Sequence, residues 1–441
     1  MKTSNFYKSV AVLLSGTAAA QAITLSILPI LTRIYSPEEL GMLAIFTATT
    51  SILLTVSCLR MEMAIPIQKF EVEARSVLVL CIQLVTFNVI ICLIFCFAIY
   101  FIFPELLGGL GKLVFLIPVG ILLGGVYLAI NNYAVREKEF SLISKSRLRQ
   151  SISCAFIQIF GGLFGFGAIM LLLGYIFNLG AGAFYLKKRL LEDLDFKSFV
   201  KFEKSKEIFY QNIRFPKYSV VESFANTAGI QIPVLIIASS IGVAETAFLF
   251  LAMRIIQAPM ALLGNSISQV FYSQASENYK EGTLSSLTLK VSESTFKIGV
   301  GPIIFIAVVA QNIVGKALGQ DWEVVGVYIT TMSPWFLFQF LASPISPVMY
   351  VTGKQNLFMR LTIFGFSLKI FCITVAAIKG LYVIESFVFA NTLFYMVCFY
   401  IFSQVGGNSM GNIIKSFMKV VYIPFAWLFG ALFINHILAV F

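Results

Sequence analysis

The sequence is poor in charge and in the residues that usually carry catalysis or bind metals. Charged residues make up 12% of the 441, whereas a soluble globular protein carries about 25%. The single histidine, His436, has no companion ligand near it, and we find no phosphate-binding glycine loop, paired-aspartate motif, zinc spacing or serine–histidine arrangement. We therefore expect no enzyme active site, no metal centre and no cofactor.

The cysteines do not have the spacing of a zinc site or a disulfide framework. All of them lie inside apolar segments, where we expect small core residues. They are Cys58, Cys81, Cys92, Cys96, Cys154, Cys372 and Cys398.

Long apolar runs dominate the chain, with 59% hydrophobic residues and a mean hydropathy of +0.89. A helix that crosses a bilayer needs about 20 apolar residues, and many of the runs reach that length. The first run continues past Ala18 to Leu31, so we interpret it as an uncleaved helix and not as a signal peptide. The sequence predicts an all-α polytopic membrane protein with thirteen spans, at 8–31, 41–66, 76–103, 112–135, 150–166, 168–187, 217–240, 245–271, 293–315, 324–350, 356–378, 382–403 and 418–440. The division between 150–166 and 168–187 falls at a glycine-rich turn.

The positive charges alternate between the gaps that separate these runs. Of the 32 lysines and arginines, 24 fall in alternate gaps that begin with the N-terminus, and four fall in the other gaps. The positive-inside rule then predicts a cytoplasmic N-terminus. The net charge of +11 follows from this topology and from anionic lipid headgroups, so we expect no nucleic-acid partner.

A basic connection divides the chain into two similar halves. We expect a six-helix bundle at 1–187, a cytoplasmic linker at 188–216, a second six-helix bundle at 217–403, and a C-terminal loop with an additional helix at 404–441. Both halves begin in the cytoplasm and share weak sequence similarity at an offset near 206 residues, which is typical of a transporter with parallel repeats. Part of the linker, about 192–210, is interpreted either as an amphipathic helix on the inner leaflet or as a solvated loop.

Few ionisable residues fall at membrane depth, and those that do often mark the path of a substrate or ion. Arg60, Arg254 and Lys369 are candidates for a substrate cavity, with snorkelling to the interface as the alternative. Glu62 lies two residues beyond Arg60, and on an α-helix these two side chains would not face each other.

Uncharged polar residues add to the candidate cavity, although many such groups simply connect helices. Asn226, Gln231 and Gln269 are the members of this set that we assign to the cavity. A proton or sodium relay would depend on Glu62 and Glu222, since the three aspartates all lie in predicted loops. For Glu222 an interfacial salt bridge is the alternative.

Several local sequences resemble Wzx-type polysaccharide exporters, which are flippases of lipid-linked oligosaccharides. The resemblance covers about residues 8–355 and its pieces occur in the order found in that family. In the first half they are Ser15 to Ala18 with Gln21, Pro29 to Gly41, and Arg60 to Ile65. In the second half they are Phe215 to Ser219, Gln231 to Leu235, Arg254 with Pro259, Gln269 to Tyr272, and Trp335 with Phe340 to Pro344.

The resemblance implies a member of the multidrug, oligosaccharidyl-lipid and polysaccharide exporter superfamily, with two six-helix bundles in a V around a central cavity. It implies a flippase of undecaprenyl-diphosphate-linked repeat units in the bacterial inner membrane, driven by an ion gradient, for O-antigen or capsule biosynthesis. Expected partners are the lipid-linked oligosaccharide, membrane lipids, a polysaccharide polymerase and a chain-length regulator. The family commonly has twelve spans, so the thirteenth departs from its pattern.

Two other functions are compatible with the pattern. A cation-coupled exporter of small drugs shares the architecture, but such a pump would place carboxylates in its cavity, and here the acids at depth are few. A membrane polysaccharide polymerase usually carries a large external loop, and the longest connection here is predicted to be cytoplasmic. The sequence therefore favours the flippase.

Overall fold

The computed structural model describes residues 3–102, 109–190 and 202–440. Across these residues the chain is helical without a strand, which confirms the predicted all-α class. The α-helices are α1 Thr3–Ser26, α2 Leu28–Ile34, α3 Pro37–Ser57, α4 Glu71–Ile102, α5 Leu116–Arg136, α6 Phe140–Leu163, α7 Ala168–Leu190, α8 Phe202–Gln211, α9 Val220–Ser240, α10 Val243–Lys280, α11 Leu284–Thr295, α12 Gly301–Leu318, α13 Glu323–Ala342, α14 Val348–Val351, α15 Gln355–Lys379, α16 Val383–Val405, α17 Met410–Met418 and α18 Tyr422–Val440.

Ten helical stretches of the described chain are long and apolar enough to cross a membrane, and an eleventh arises if α17 and α18, bent by 55°, form one span. The sequence predicts thirteen spans. The two that are not among these eleven helical stretches correspond to α6 and α10. In α6 the polar residues Arg147, Arg149 and Gln150 lower the hydropathy of the membrane-length window. Part of α10 carries side chains outside the described set.

The glycine-rich turn lies where the sequence predicts it. Helix α6 ends at Leu163 and α7 begins at Ala168, so two helices meet there as expected. Gly165 and Gly167 have φ angles of 73° and 65°, a left-handed conformation that other residues adopt only at a cost. The run of glycines therefore ends one helix and allows the chain to reverse.

The predicted span 41–66 is wrong at its C-terminal end. Helix α3 begins after a capping box at Ser36 and ends at Ser57, and a 3-10 helix follows at Met61–Ile67. Between them Leu59 and Arg60 are both left-handed, which an α-helix cannot contain. Arg60 and Glu62 therefore lie in a connection between two spans.

The chain forms two compact units, Met1–Ala247 and Phe248–Phe441. The seventh predicted span, α9, lies in the first unit, where it packs antiparallel to α3. At one end a Cβ on Gly41 would meet the main chain of Val243, and at the other the Thr55 and Thr227 hydroxyl oxygens are 3.2 Å apart. The bundle boundaries expected from the sequence stay a prediction.

The linker is partly described. Residues 191–201 lie outside the described chain, and with them the first part of the segment 192–210 interpreted as an amphipathic helix or a solvated loop. Helix α8 packs on α4, and its Ile208 and Phe209 join a core that contains Met61 and Ile65. The described part of the linker therefore contributes to the packing of the first unit.

The additional C-terminal helix is present as α18 and belongs to the second unit. Its Trp427 lies against Gly301 and makes an edge contact with Phe305, with ring centroids 5.7 Å apart. Lys316 donates a hydrogen bond of 2.8 Å to the carbonyl oxygen of Leu438. Helix α18 is thus packed along α12 as part of the second unit.

Candidate functional site: charged and polar residues of the two units

A strained turn positions the first pair of charged residues. Leu59 and Arg60 have φ angles of 50° and 59°, and a left-handed conformation costs such residues of order 1 kcal/mol or more. Strain of this kind persists only where the surrounding structure imposes it. Here Cys58 and Met61, on either side of the strained residues, are fully buried in the core of the first unit.

Arg60 and Glu62 form a salt bridge, with 3.3 Å between Nη1 and Oε1. The expectation that they would not face each other was wrong, because it assumed α-helical spacing. The left-handed Arg60 and the 3-10 segment after it place the two side chains together. Glu62 is 1% exposed and the Arg60 side chain is 26% exposed, so the carboxylate is enclosed and the guanidinium reaches the surface.

The pair is incompletely satisfied. The Oε2 of Glu62 and the Nε of Arg60 are buried without a hydrogen-bond partner. Burial raises the pKa of Glu62, and its backbone N–H and the charge of Arg60 oppose that rise. Since unpaired buried polar atoms are costly, a partner from outside the protein could improve the site.

Residues distant in sequence complete the surroundings of this pair. The 3-10 segment packs against α4, α5 and a π-helical segment at Phe215–Ser219. Next to it, Gln68 donates a 3.2 Å hydrogen bond from Nε2 to Oδ1 of Asn212, 144 residues away. In the π-helical segment Lys217 is exposed, with its ammonium 5.3 Å from the ring centroid of Tyr218. Sequence reasoning missed Gln68 and Asn212 because no local pattern marks them.

Helix α9 carries three of the predicted site residues. Glu222 and Asn226 are four apart and share a face, on which Asn226 is exposed and Glu222 is partly buried. Gln231 is partly buried and lies one turn beyond Thr227, which contacts Thr55 of α3. Arg60, Glu62 and these polar residues of α9 therefore all belong to the first unit.

The remaining candidates lie in the second unit. Arg254 is partly buried on α10, and its guanidinium carbon is 5.5 Å from the ring centroid of Phe250, one turn earlier. Gln269 is also on α10, but its side chain lies outside the described set. The structure thus leaves the role of Gln269 a prediction.

Lys369 is buried between α15 and α16. It is 4% exposed, and its Nζ is 4.5 Å from the ring centroid of Phe394 and 5.3 Å from that of Tyr395. Within the described residues no salt bridge neutralises it. An enclosed lysine held by aromatic rings is suited to interaction with an anion or to a structural role between the two helices.

Comparison with known proteins places the chain in a family and assigns its fold. Residues 30–326 match the polysaccharide biosynthesis protein family, and the chain belongs to that family. Among curated proteins, no sequence matches this chain.

Solved structures of transporters share the architecture. The inward closed conformation of the lipid II flippase MurJ is similar at a TM-score of 0.75 and 13% identity, with 97% of each chain covered. An inward-facing multidrug resistance MATE family transporter of the MOP superfamily is similar at a TM-score of 0.63 and 15% identity, with 94% of this chain and 98% of that chain covered. An outward-facing MATE family transporter is similar at a TM-score of 0.53 and 13% identity, with 94% of this chain and 96% of that chain covered.

These likenesses confirm the expected fold of two helical lobes and, with the apolar helices, a multi-pass membrane protein. The matched family is described as one of polysaccharide biosynthesis proteins, and the similar solved structures are those of a flippase and of transporters.

Proposed function

We propose that the protein is a flippase that moves undecaprenyl-diphosphate-linked oligosaccharide repeat units from the inner to the outer leaflet of the bacterial inner membrane. The observation that carries this proposal is membership in a polysaccharide biosynthesis family together with the fold of a lipid II flippase. In that role the protein serves O-antigen or capsule assembly. Its N-terminus lies in the cytoplasm, as the distribution of lysine and arginine predicts.

The charged residues support an anionic cargo. A diphosphate must shed water to enter the membrane, and the guanidinium or ammonium groups of Arg60, Arg254 and Lys369 can compensate for that loss. Asn226, Gln231 and Gln269 supply hydrogen bonds for sugars in the same path. The lipid tail stays in the apolar interior of the bilayer, so it needs no polar partner in the protein.

The flippase works by alternating access and draws on an ion gradient, without ATP hydrolysis of its own. Glu62 and Glu222 are the acids that could exchange the coupling ion. A polysaccharide polymerase and a chain-length regulator act on the product and are the proposed partners, together with the surrounding lipids.

A cation-coupled exporter of small molecules is the second candidate, and the likeness to MATE transporters favours it. The two cargoes differ in charge. A cationic drug calls for carboxylates in the path, whereas the predicted path here holds three basic residues.

The test is deletion of the protein from its bacterium, followed by analysis of prenyl-linked lipids in each leaflet. We expect undecaprenyl-diphosphate repeat units to accumulate on the inner leaflet and surface polymer to disappear, and the intact chain to restore both. Unchanged surface polymer, combined with new sensitivity to cationic drugs, would instead establish the exporter.

A further inference from the structure

The contact between Arg60 and Glu62 is weak for a buried ion pair. Strong charge-assisted bonds between nitrogen and oxygen measure about 2.7–2.9 Å, and this one measures 3.3 Å. The contact engages one of the five N–H donors of the guanidinium and one carboxylate oxygen, while Nε and Oε2 stay unpartnered. An anion with two well-placed oxygens could therefore satisfy Arg60 better than Glu62 does.

The Arg60 and Glu62 side chains differ in how freely they can change conformation. Glu62 is enclosed in the 3-10 segment, whose neighbours Met61 and Ile65 are fully buried, so the carboxylate cannot follow a departing partner. The Arg60 side chain is about a quarter exposed and can turn outward. Arg60 is thus able to exchange partners while Glu62 stays in place.

Arg60 is the principal charge acting on the Glu62 carboxylate, which in turn acts on the thiol of Cys81. The elements packed against this segment also carry charged or titratable side chains, which include Glu71, Glu73, Arg75 and Cys81 on α4, Tyr127, Tyr133 and Arg136 on α5, and Lys217 and Tyr218 in the π-helical segment. Tyr133 is hydrogen-bonded to Arg75, and Lys217 lies over Tyr218.

We propose that Glu62 is an internal competitor for Arg60: it holds the guanidinium in the empty protein, a phosphate of the substrate displaces it, and its return to Arg60 releases the substrate. This inference rests on the proposed function, because it takes the diphosphate lipid as the anion. Glu62 then promotes release of the cargo, and Arg60 is one of the residues that contact it.

Protonation of Glu62 changes the affinity for the substrate in opposite directions in this role and in ion coupling. Protonation of Glu62 frees Arg60 and so strengthens anion binding. Export by proton antiport needs the opposite, since the incoming proton must weaken substrate binding. In this inference Glu62 is a competitor and not a coupling acid, and Glu222 is the remaining candidate for binding the driving ion.

The test measures binding of geranylgeranyl diphosphate to the purified full chain in lipid nanodiscs, with geranylgeraniol as the uncharged control ligand. At about pH 8, where an ordinary glutamate is ionised, we expect Glu62→Gln to bind the diphosphate roughly tenfold more tightly than the native chain, about 1.4 kcal/mol. Arg60→Gln should lose the preference for diphosphate over alcohol. Glu71→Gln, which removes the carboxylate of the more exposed pair between Glu71 and Arg75, should leave binding unchanged.

The pH dependence gives a second readout. Burial raises the pKa of Glu62, so its carboxylate becomes neutral as the pH falls through that raised value. The native chain should then approach the affinity of Glu62→Gln at low pH. Since the diphosphate also takes up protons as the pH falls, the two proteins are compared at each pH, which cancels the ligand's contribution.

Three results would overturn the inference in distinguishable ways. Equal or weaker binding by Glu62→Gln, with native binding intact, rejects competition but keeps the flippase. A native chain that does not prefer diphosphate over alcohol rejects the flippase as well. If Glu62→Gln unfolds, Glu62→Asp retracts the carboxylate by one methylene, and tighter binding by that variant is required for the inference to stand.

Discussion

Asn312 and Asn435 join two helices of the second unit by a side-chain hydrogen bond of 2.8 Å, from Nδ2 of Asn312 on α12 to Oδ1 of Asn435 on α18. Such bonds between membrane helices contribute about 0.6 kcal/mol on average and up to about 1.7. We expect Asn435→Leu to lower the free energy of unfolding by an amount in this range, measured by thermal unfolding in detergent. His436→Leu, at an exposed neighbouring position, is the matched control. Equal stability of the two variants would show that the bond does not hold α18.

Gly41 sets the distance between α3 and the start of α10. A Cβ at this position would overlap the main-chain carbonyl of Val243, which cannot turn away as a flexible side chain can. Gly41→Ala should therefore destabilise the protein by roughly 1–3 kcal/mol.

Gly430 provides the control for this substitution, because a Cβ there meets nothing within 4 Å. Gly430→Ala should be neutral or stabilising by about 0.5–1 kcal/mol, since alanine favours a helix. Both variants are compared by thermal unfolding. Similar effects at the two positions would show that the close approach at Gly41 does not matter.

Lys369 is expected to lower the stability of the protein and to contribute to export. Its burial without an acid costs free energy, so Lys369→Met should raise the free energy of unfolding by about 1 kcal/mol or more. If the ammonium serves an anionic cargo, export should fall in the same variant. Lys379→Met, at the exposed end of the same helix, should change neither quantity. Loss of stability with normal export would reveal a purely structural lysine.

Arg254 is expected to be required for export. Arg254→Ala removes the charge, and Arg254→Lys keeps the charge but loses the planar fork that binds phosphate through two hydrogen bonds. Both should sharply reduce surface polysaccharide while the protein is still expressed, as measured by immunoblot and polymer staining. Lys280→Ala, at the exposed end of the same helix, is the control. Normal polymer in both Arg254 variants would remove this residue from the substrate path.

The sequence could single out candidate residues for the site, but it could not show how their side chains are arranged. The sequence marked Arg60, Glu62 and Lys369 because charge among apolar residues is visible locally. It could not show that Arg60 is left-handed or that it pairs with Glu62, since that conformation is imposed by packing around Cys58 and Met61. Nor could it show the bond between Gln68 and Asn212, which depends on how distant segments meet.

By itself the sequence determined the all-helical class, most of the membrane-length helices and the reversal at Gly165 and Gly167, because these follow from hydropathy and backbone preference within a few residues. Only the tertiary structure decided that α3 ends at Ser57, that α9 packs along α3 through Thr55 and Thr227, and that α18 lies on α12 through Asn312 and Asn435. In a lipid environment nearly every face of a helix is apolar, so hydropathy cannot select neighbours. Close fit and a few polar contacts make that selection, and both exist only once the helices have met.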